Sequence, residues 1–127
     1  MKSFVCKSRM FSGRATSVAD CRHWLADVLG GDRDDVLRDR AVLLLSELAT
    51  NAVVHARTDY RVTATVGADR LRVEVSDGSP TLPEAGTTAL DSPGGRGIRL
   101  VDTVSESWGV EPSRTGKAVW FECGLVS

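Results

Sequence analysis

The sequence predicts an α+β fold, a two-layer α/β sandwich in which helices cover one face of a mixed, mostly antiparallel sheet. In the first half of the chain, apolar residues recur at three- to four-residue spacing, which is typical of amphipathic helices. In the second half, apolar and polar residues alternate, which is typical of strands with one buried face. A layer of helices packed on one face of the sheet buries both apolar surfaces.

Length and composition predict one folded domain, residues 1–127. Hydrophobic residues make up 42% and charged residues 26% of the chain, which excludes disorder, and a net charge of −1 gives no bulk attraction to nucleic acid or membrane. The longest apolar run, Ala41–Leu45, is much shorter than a membrane span. The three cysteines follow no zinc or redox spacing, so we expect buried free thiols and a cytoplasmic location.

Two helices are expected before residue 57. Thr16 and Ser17 are suited to cap the first, and Gly30–Gly31 provides a left-handed stop. The second opens around Asp32–Asp35, whose carboxylates favour a helix N-terminus, and runs to about Ala56. Its apolar face is wide enough for a deeply buried helix and consists of Leu37, Val42, Leu44, Leu45, Leu48, Ala49, Ala52 and Val53.

Two hairpins are predicted in the rest of the chain. Residues 61–66 and 70–75 alternate around a short turn, which indicates an antiparallel pair with one wet and one dry face. A second hairpin joins Glu106–Val110 to Lys117–Leu125 through a turn at Pro112–Gly116.

Three segments complete the predicted architecture. Residues Met1–Phe11 alternate loosely and are expected to form an edge strand. Residues 77–97 hold five glycines and three prolines, which indicates a long loop with a functional reason to exist. A short helix, Ile98–Val104, is expected after it.

Two polar motifs stand out against this framework. Glu47, Asn51 and His55 fall at i, i+4 and i+8 of the second helix, so a carboxylate, an amide and an imidazole share one stripe. The same pattern also describes the solvent face of an ordinary amphipathic helix. The segment Asp77–Pro80 follows a strand directly, and by itself an acidic residue in such a turn is ordinary turn chemistry.

Two glycine-containing motifs follow. Gly94–Gly97 stands at the start of a predicted helix, where glycines allow close approach of a phosphate and free N–H groups bind it, although a flexible loop has the same composition. Thr115–Lys117 enters the last strand and by itself is an ordinary hairpin turn. The P-loop, the dinucleotide fingerprint, the protein-kinase motifs and the hydrolase nucleophile elbow are absent.

Taken in chain order, the four motifs resemble the ATP-binding fold of the histidine-kinase, gyrase and heat-shock-chaperone superfamily. Within it, the chain is most similar to the small bacterial anti-sigma factor serine/threonine kinases. Residues 46–56, SELATNAVVHA, resemble the N-box of that family, and residues 94–101, GGRGIRLV, resemble its second glycine box. The resemblance implies a Bergerat-type ATP-binding fold with ATP and Mg²⁺ as cofactors.

The resemblance also implies roles for individual residues. Asn51 is the implied metal ligand, whose amide oxygen binds a Mg²⁺ that bridges the phosphates. Glu47 is the implied catalytic residue, which orients or deprotonates the attacking hydroxyl. Asp77 is expected to accept a hydrogen bond from the adenine amine, and Thr115 to close the adenine pocket. The other implied cofactor-binding residues are Ser79, where the family usually has glycine, together with Gly95, Arg96 and Gly97.

The function implied by the resemblance is ATP-dependent phosphorylation of a serine or threonine on a small antagonist protein, by a chain that also sequesters a sigma factor. Kinases of this kind commonly dimerise, and neither nucleic acid nor membrane is an expected direct partner. The alternative is a non-catalytic module that uses ATP as a structural ligand for partner recognition. Glu47 distinguishes the two, because a pure binder needs no carboxylate there. His55 is expected to have a structural or pocket-lining role.

Overall fold

A computed structural model of the chain describes residues 5–30, 35–67, 70–79 and 107–124. Within these ranges there are two α-helices, α1 (Ser17–Leu29) and α2 (Asp35–Asn51), and α2 continues as a π-helical turn, Ala52–Ala56. The described strands are β1 (Val5–Phe11), β2 (Tyr60–Val66), β3 (Arg70–Asp77), β4 (Ser107–Ser113) and β5 (Gly116–Gly124).

The five strands form one sheet in the order β1-β2-β3-β5-β4, and every pairing among the described strands is antiparallel. Val62, Val75 and Val119 form one cross-strand row. Alternate residues of the three central strands are buried, whereas those between them are partly or fully exposed. This one-sided burial confirms the predicted fold class. The buried side chains of these strands include Val62, Ala64, Val66, Leu71, Val73, Val75, Val119, Phe121 and Cys123.

Both helices contribute their apolar faces to a single core with the sheet. In α1 the buried residues Cys21, Leu25 and Leu29 lie one turn apart. The predicted apolar face of α2 is buried except for Val42 and Val53, which are partly buried against the core. The buried residues of α2 and its π-helical turn are Leu37, Ala41, Leu44, Leu45, Leu48, Ala49 and Ala52.

An aromatic cluster joins α1 to the edge of the sheet. The Phe11 ring stacks on Tyr60 at a centroid distance of 5.6 Å and meets Trp24 edge-on at 5.9 Å. The Tyr60 hydroxyl lies 2.7 Å from the Ser17 hydroxyl, so its polar end is hydrogen-bonded inside the core. The cluster therefore holds the start of α1 against β1 and β2.

The predicted cap of α1 is wrong in its mechanism. Thr16 already has helical dihedral angles, φ −63° and ψ −23°, and its side chain makes no capping hydrogen bond. The first free backbone N–H groups instead bond to carbonyls of the preceding turn, Ser17 to Arg14 and Val18 to Ala15. The Ser17 hydroxyl is hydrogen-bonded to the Tyr60 hydroxyl.

The predicted stop of the same helix is confirmed at Gly30. Its φ of 71° and ψ of 177° define a backbone conformation that is essentially limited to glycine. The Gly30 N–H bonds to the Ala26 carbonyl, and its own carbonyl accepts a hydrogen bond from the Arg38 guanidinium at 3.1 Å. The end of α1 is thereby tied to α2.

The predicted turn of the second hairpin, Pro112–Gly116, is too long. Pro112 lies within β4 and is paired with Lys117, so the turn contains only Arg114 and Thr115. A proline is tolerated there because β4 is an edge strand, where one side of the backbone needs no partner. The strand consequently extends to Ser113 rather than ending at Val110.

The expectation of three buried thiols holds for Cys21 and Cys123 but is wrong for Cys6. Cys6 lies on β1, the other edge strand, where Val5–Met10 are all exposed. Among the described residues, no helix combines the length and hydropathy that a membrane crossing requires. The predicted helix Ile98–Val104 and residues 80–97 of the predicted loop lie outside the described residues and stay predictions.

We expect the protein to lose stability in alkali through Cys21 and Tyr60. Burial raises the pKa of the Cys21 thiol from 9.0 to about 12 and that of the Tyr60 hydroxyl from 10.0 to about 12. As the pH rises, the folded chain therefore keeps protons that the unfolded chain releases. The contribution of the two groups to the free energy of unfolding is fully present below about pH 9. It falls as the pH rises towards 12, by up to about 1.4 kcal/mol per pH unit for each group.

Urea denaturation between about pH 8 and about pH 10.5 measures this loss. Cys21→Ala should reduce the slope of unfolding free energy against pH, whereas Cys6→Ala, which removes an exposed thiol, should leave it unchanged. An unaltered slope in Cys21→Ala would contradict the assignment.

Candidate functional site

The first part of the site is the C-terminal end of α2. Glu47 and Asn51 lie one helical turn apart, and both are half-buried. The Asn51 Oδ1 atom is buried and has no hydrogen-bond partner among the described residues. Because a buried amide oxygen without a partner is costly, such an atom in a native structure requires an explanation, and a role in ligand binding is one.

A π-helical turn, Ala52–Ala56, follows Asn51 directly. It closes with a 2.8 Å hydrogen bond from the Arg57 N–H to the Ala52 carbonyl, five residues earlier, and Arg57 has left-handed dihedral angles. The wider turn removes the regular i+4 relation between Asn51 and His55. His55 is exposed, so the predicted three-residue stripe consists here of Glu47 and Asn51 only.

The connection from the π-helical turn to β2 is fastened at two points. The Thr58 hydroxyl accepts a hydrogen bond from the Gly78 N–H at 3.0 Å, and the Asp59 carboxylate accepts one from the Gly13 N–H at 2.8 Å. The backbone at Gly13 is packed so closely that a Cβ there would lie 2.7 Å from the Thr58 carbonyl oxygen. The Gly78 contact ties the end of the α2 segment to the end of β3, and the Gly13 contacts tie it to the connection between β1 and α1.

The second part of the site is a buried ion pair at the ends of β3 and β5. Asp77 and Lys117 are cross-strand partners, and their Oδ1 and Nζ atoms lie 3.0 Å apart. Their side chains are only 5% and 9% exposed. Asp77 Oδ1 also accepts the Ser79 N–H at 2.9 Å, and Lys117 Nζ donates to the Ser79 carbonyl at 3.4 Å.

This arrangement compensates the cost of burying two charges, because charge-assisted hydrogen bonds accompany the ion pair. Both described contacts of the Asp77 carboxylate are made to Oδ1, so Oδ2 is engaged by neither Lys117 nor Ser79. Neither Gly78 nor Ser79 has a positive φ, so serine at position 79 causes no backbone strain.

Gly116 allows the two strand ends to approach each other. A Cβ at this position would overlap the Asp77 carbonyl oxygen and would lie 2.9 Å from the Gly78 Cα. Only a residue without a side chain leaves room for this backbone, so the glycine supports the geometry of the Asp77–Lys117 pair.

The structure thus brings Asp77 and Ser79 into direct contact and places Asn51 one turn after Glu47. Thr115 is exposed in the hairpin turn, next to Gly116, and does not touch the ion pair through any described hydrogen bond. The predicted cofactor-binding residues Gly95, Arg96 and Gly97 lie outside the described residues.

Sequence reasoning did not identify Lys117, although a signal was present. Lys117 falls in the same alternation as Val119, Phe121 and Cys123, all buried on the core-facing side of β5. A lysine in an apolar register is rarely buried without a partner, so its position predicts an acidic partner on the neighbouring strand.

We expect Gly116→Ala to destabilise the fold by about 1–3 kcal/mol, because the new methyl group must displace the Asp77–Gly78 backbone. Gly78→Ala is the matched control, since its Cβ would meet the Thr58 side chain at an ordinary 3.4 Å. Chemical denaturation of both variants measures the difference. Equal stability of the two variants would show that β3 and β5 adjust freely at this point.

Comparison with known proteins identifies the family of the chain. A family described as the histidine kinase-like ATPase domain matches residues 11–123. A solved structure with a similar fold is the histidine kinase domain from the Erythrobacter litoralis EL346 blue-light activated histidine kinase, with 30% sequence identity and a TM-score of 0.54. The similarity covers 69% of this chain and 44% of that one, so this chain corresponds to less than half of the kinase domain's length. No curated protein matches the chain.

The family match extends from the last residue of β1 almost to the end of β5 and so includes every element that builds the site. The family implies ATP binding. The chain therefore belongs to the histidine kinase-like ATPase domain family.

Proposed function

We propose that this protein is an ATP-binding regulatory kinase that transfers the terminal phosphoryl group of ATP to a serine or threonine of a small partner protein. The observation that carries the proposal is the buried Oδ1 of Asn51, which has no hydrogen-bond partner among the described residues and lies one turn after the half-buried carboxylate of Glu47. A binding atom and a candidate base are thus held on one rigid helix, as positioning chemistry requires.

The described residues fit a Mg²⁺ that is shared with the nucleotide. Magnesium takes oxygen ligands, and the Asn51 Oδ1 atom is an oxygen in need of a partner. No cluster of three or more histidine, cysteine or acidic side chains occurs in the part of the chain that the structure describes. Magnesium is usually bound by few protein groups, with phosphates and water completing its shell.

Glu47 is the residue proposed for the chemical step. Mg²⁺, when bound, would supply charge neutralisation on the phosphates. The Glu47 carboxylate then orients the partner's hydroxyl group and accepts its proton as that oxygen forms its bond to phosphorus. The bond that breaks is the one between phosphorus and the oxygen that leaves with ADP.

The nucleotide base is proposed to lie at the Asp77–Lys117 pair. Asp77 Oδ2 is available to accept a hydrogen bond from the adenine amine, because the described donors use Oδ1. Phosphate binding by Gly95, Arg96 and Gly97, and closure of the base pocket by Thr115, stay predictions from the sequence.

The proposed partners are an anti-sigma factor antagonist as phosphate acceptor and a sigma factor that the kinase sequesters. A cytoplasmic location and a homodimer belong to the same proposal. Support for it comes from the resemblance of the N-box and second glycine box to those of anti-sigma factor kinases.

Asn51→Ala should weaken nucleotide binding in the presence of Mg²⁺ at least tenfold and change it little in EDTA. It should also leave the free energy of unfolding of the ligand-free protein unchanged or raised, because it deletes an unsatisfied buried oxygen. Calorimetric titration with ADP and chemical denaturation measure the two effects.

A structural asparagine would behave differently, since loss of a satisfied buried amide costs about 1–3 kcal/mol of stability. Asp39→Ala, which removes an exposed polar group from the same helix, is the control and should affect neither measurement. Stability loss in Asn51→Ala without any change in binding would reject the ligand assignment.

Glu47→Gln should abolish phosphoryl transfer while leaving nucleotide affinity within about twofold, because a positioned general base contributes roughly 10²–10⁴-fold in rate. Transfer of labelled phosphate from ATP to candidate antagonist proteins measures the rate. Asp39→Asn, an exposed carboxylate changed in the same way, should retain full activity.

The wild type also decides between the two candidate functions. If it binds ATP but labels none of the antagonist proteins, the kinase proposal fails and a non-catalytic ATP-dependent recognition module replaces it. If Glu47→Gln transfers phosphate at the wild-type rate, the assignment of Glu47 as the base fails.

A further inference from the structure

We propose that Lys117 is a second base-reading residue, whose ammonium group donates a hydrogen bond to the ring nitrogen beside the adenine amine. This inference rests on the proposed function and adds to it a residue that determines base specificity. It starts from the buried ion pair, in which Lys117 Nζ lies 3.0 Å from Asp77 Oδ1.

Among the described residues, the hydrogen bonds of Lys117 leave one of its donors unused. An ammonium group has three hydrogens, and the described residues accept two of them, at Asp77 Oδ1 and at the Ser79 carbonyl. Two fixed acceptors restrict the rotation of the group, so the direction of the third hydrogen is restricted as well. The donor is therefore pre-organised rather than mobile.

The carboxylate offers the complementary group. Asp77 Oδ2 accepts no hydrogen bond from Lys117 or Ser79, so the pair presents one acceptor and one donor side by side. Adenine carries an exocyclic amine flanked by ring nitrogens N1 and N7, which means a donor beside an acceptor. The amine matches Asp77, and a flanking nitrogen matches Lys117.

Guanine in the same orientation has the wrong pattern. Its carbonyl oxygen would face the Asp77 carboxylate, and on the N1 side its N–H would face the Lys117 ammonium. A buried site built for specific hydrogen bonds rejects a ligand that leaves its groups unpaired. With side-chain exposures of 5% and 9%, Asp77 and Lys117 lie where water cannot readily replace such bonds.

A purely structural role for Lys117 predicts something different. Neutralisation of Asp77 requires only the contact to Oδ1, and it makes base affinity independent of the ring nitrogens. Reading of the base requires that removal of one ring nitrogen and removal of the ammonium group have coupled effects. The two roles are distinguished by a thermodynamic cycle of the double-mutant type, in which the change in the nucleotide and the change at Lys117 are made separately and together.

The experiment measures dissociation constants of ATP, 1-deaza-ATP, 7-deaza-ATP and 3-deaza-ATP by calorimetry in Mg²⁺. For the wild type, we expect either 1-deaza-ATP or 7-deaza-ATP to bind about tenfold or more weakly than ATP, because a hydrogen bond to a charged donor is lost. The analogue that loses affinity identifies the nitrogen, and 3-deaza-ATP should bind like ATP.

In Lys117→Met, ATP and that same analogue should bind equally within about twofold, since the donor is gone. Arg61→Met, which removes an exposed cation from the same sheet, is the control and should keep the wild-type ratio of the dissociation constants of that analogue and of ATP. If Lys117→Met still binds the analogue more weakly than ATP by the wild-type ratio, the proposal is overturned. Equal binding of all four nucleotides to the wild type also overturns it.

Wild-type protein alone provides a second test if Lys117→Met does not fold. The ¹⁵N resonance of the Lys117 ammonium should shift on addition of ATP and remain near its ligand-free position with the discriminating analogue. If the ¹⁵N resonance shifts identically with ATP and with that analogue, the proposal is overturned. Failure to bind any of the nucleotides rejects the proposed function together with this inference, whereas equal binding of all four rejects the inference alone.

Discussion

The alternation of side chains along β3 and β5 is the constraint on which the site depends. Both strands direct every second residue toward the helices, and this register continues past the apolar residues to Asp77 and Lys117. Two charged groups are consequently placed on the core-facing side, where each would be costly alone. Their pairing, with Ser79 bonded to both, makes the end of the sheet a polar site rather than a defect in the core.

Close contacts also hold the backbone at the end of β3 against its neighbours. The Thr58 hydroxyl links the segment after the π-helical turn to the Gly78 backbone, and Gly116 lets β5 approach the end of β3 without a side chain between them. The helix that carries Glu47 and Asn51 is therefore fixed relative to the sheet by hydrogen bonds as well as by its apolar face. A site assembled from rigid elements needs little reorganisation when a ligand binds.

The side chain of Asn51 departs from optimal packing. It is the last residue of α2 and is surrounded in the chain by the buried residues Leu48, Ala49 and Ala52, yet its Oδ1 atom has no partner in the described structure. A residue chosen for stability alone would satisfy that oxygen or replace it with an apolar group. The π-helical turn that begins at the next residue is a second departure from regular structure, of a kind that is frequent at functional sites.

The sequence by itself determined the layers of the fold and the local motifs. Helical and strand periodicities are local properties, and they correctly predicted α1, α2, the first hairpin and the core-facing residues. The stop at Gly30 followed from glycine's own conformational freedom. The tertiary structure alone decided the Asp77–Lys117 pair, the use of Ser17 by Tyr60 and the place of Pro112 in an edge strand. Each of these depends on which strand lies beside which, and in what register, and that information comes only from contacts between residues far apart in the chain.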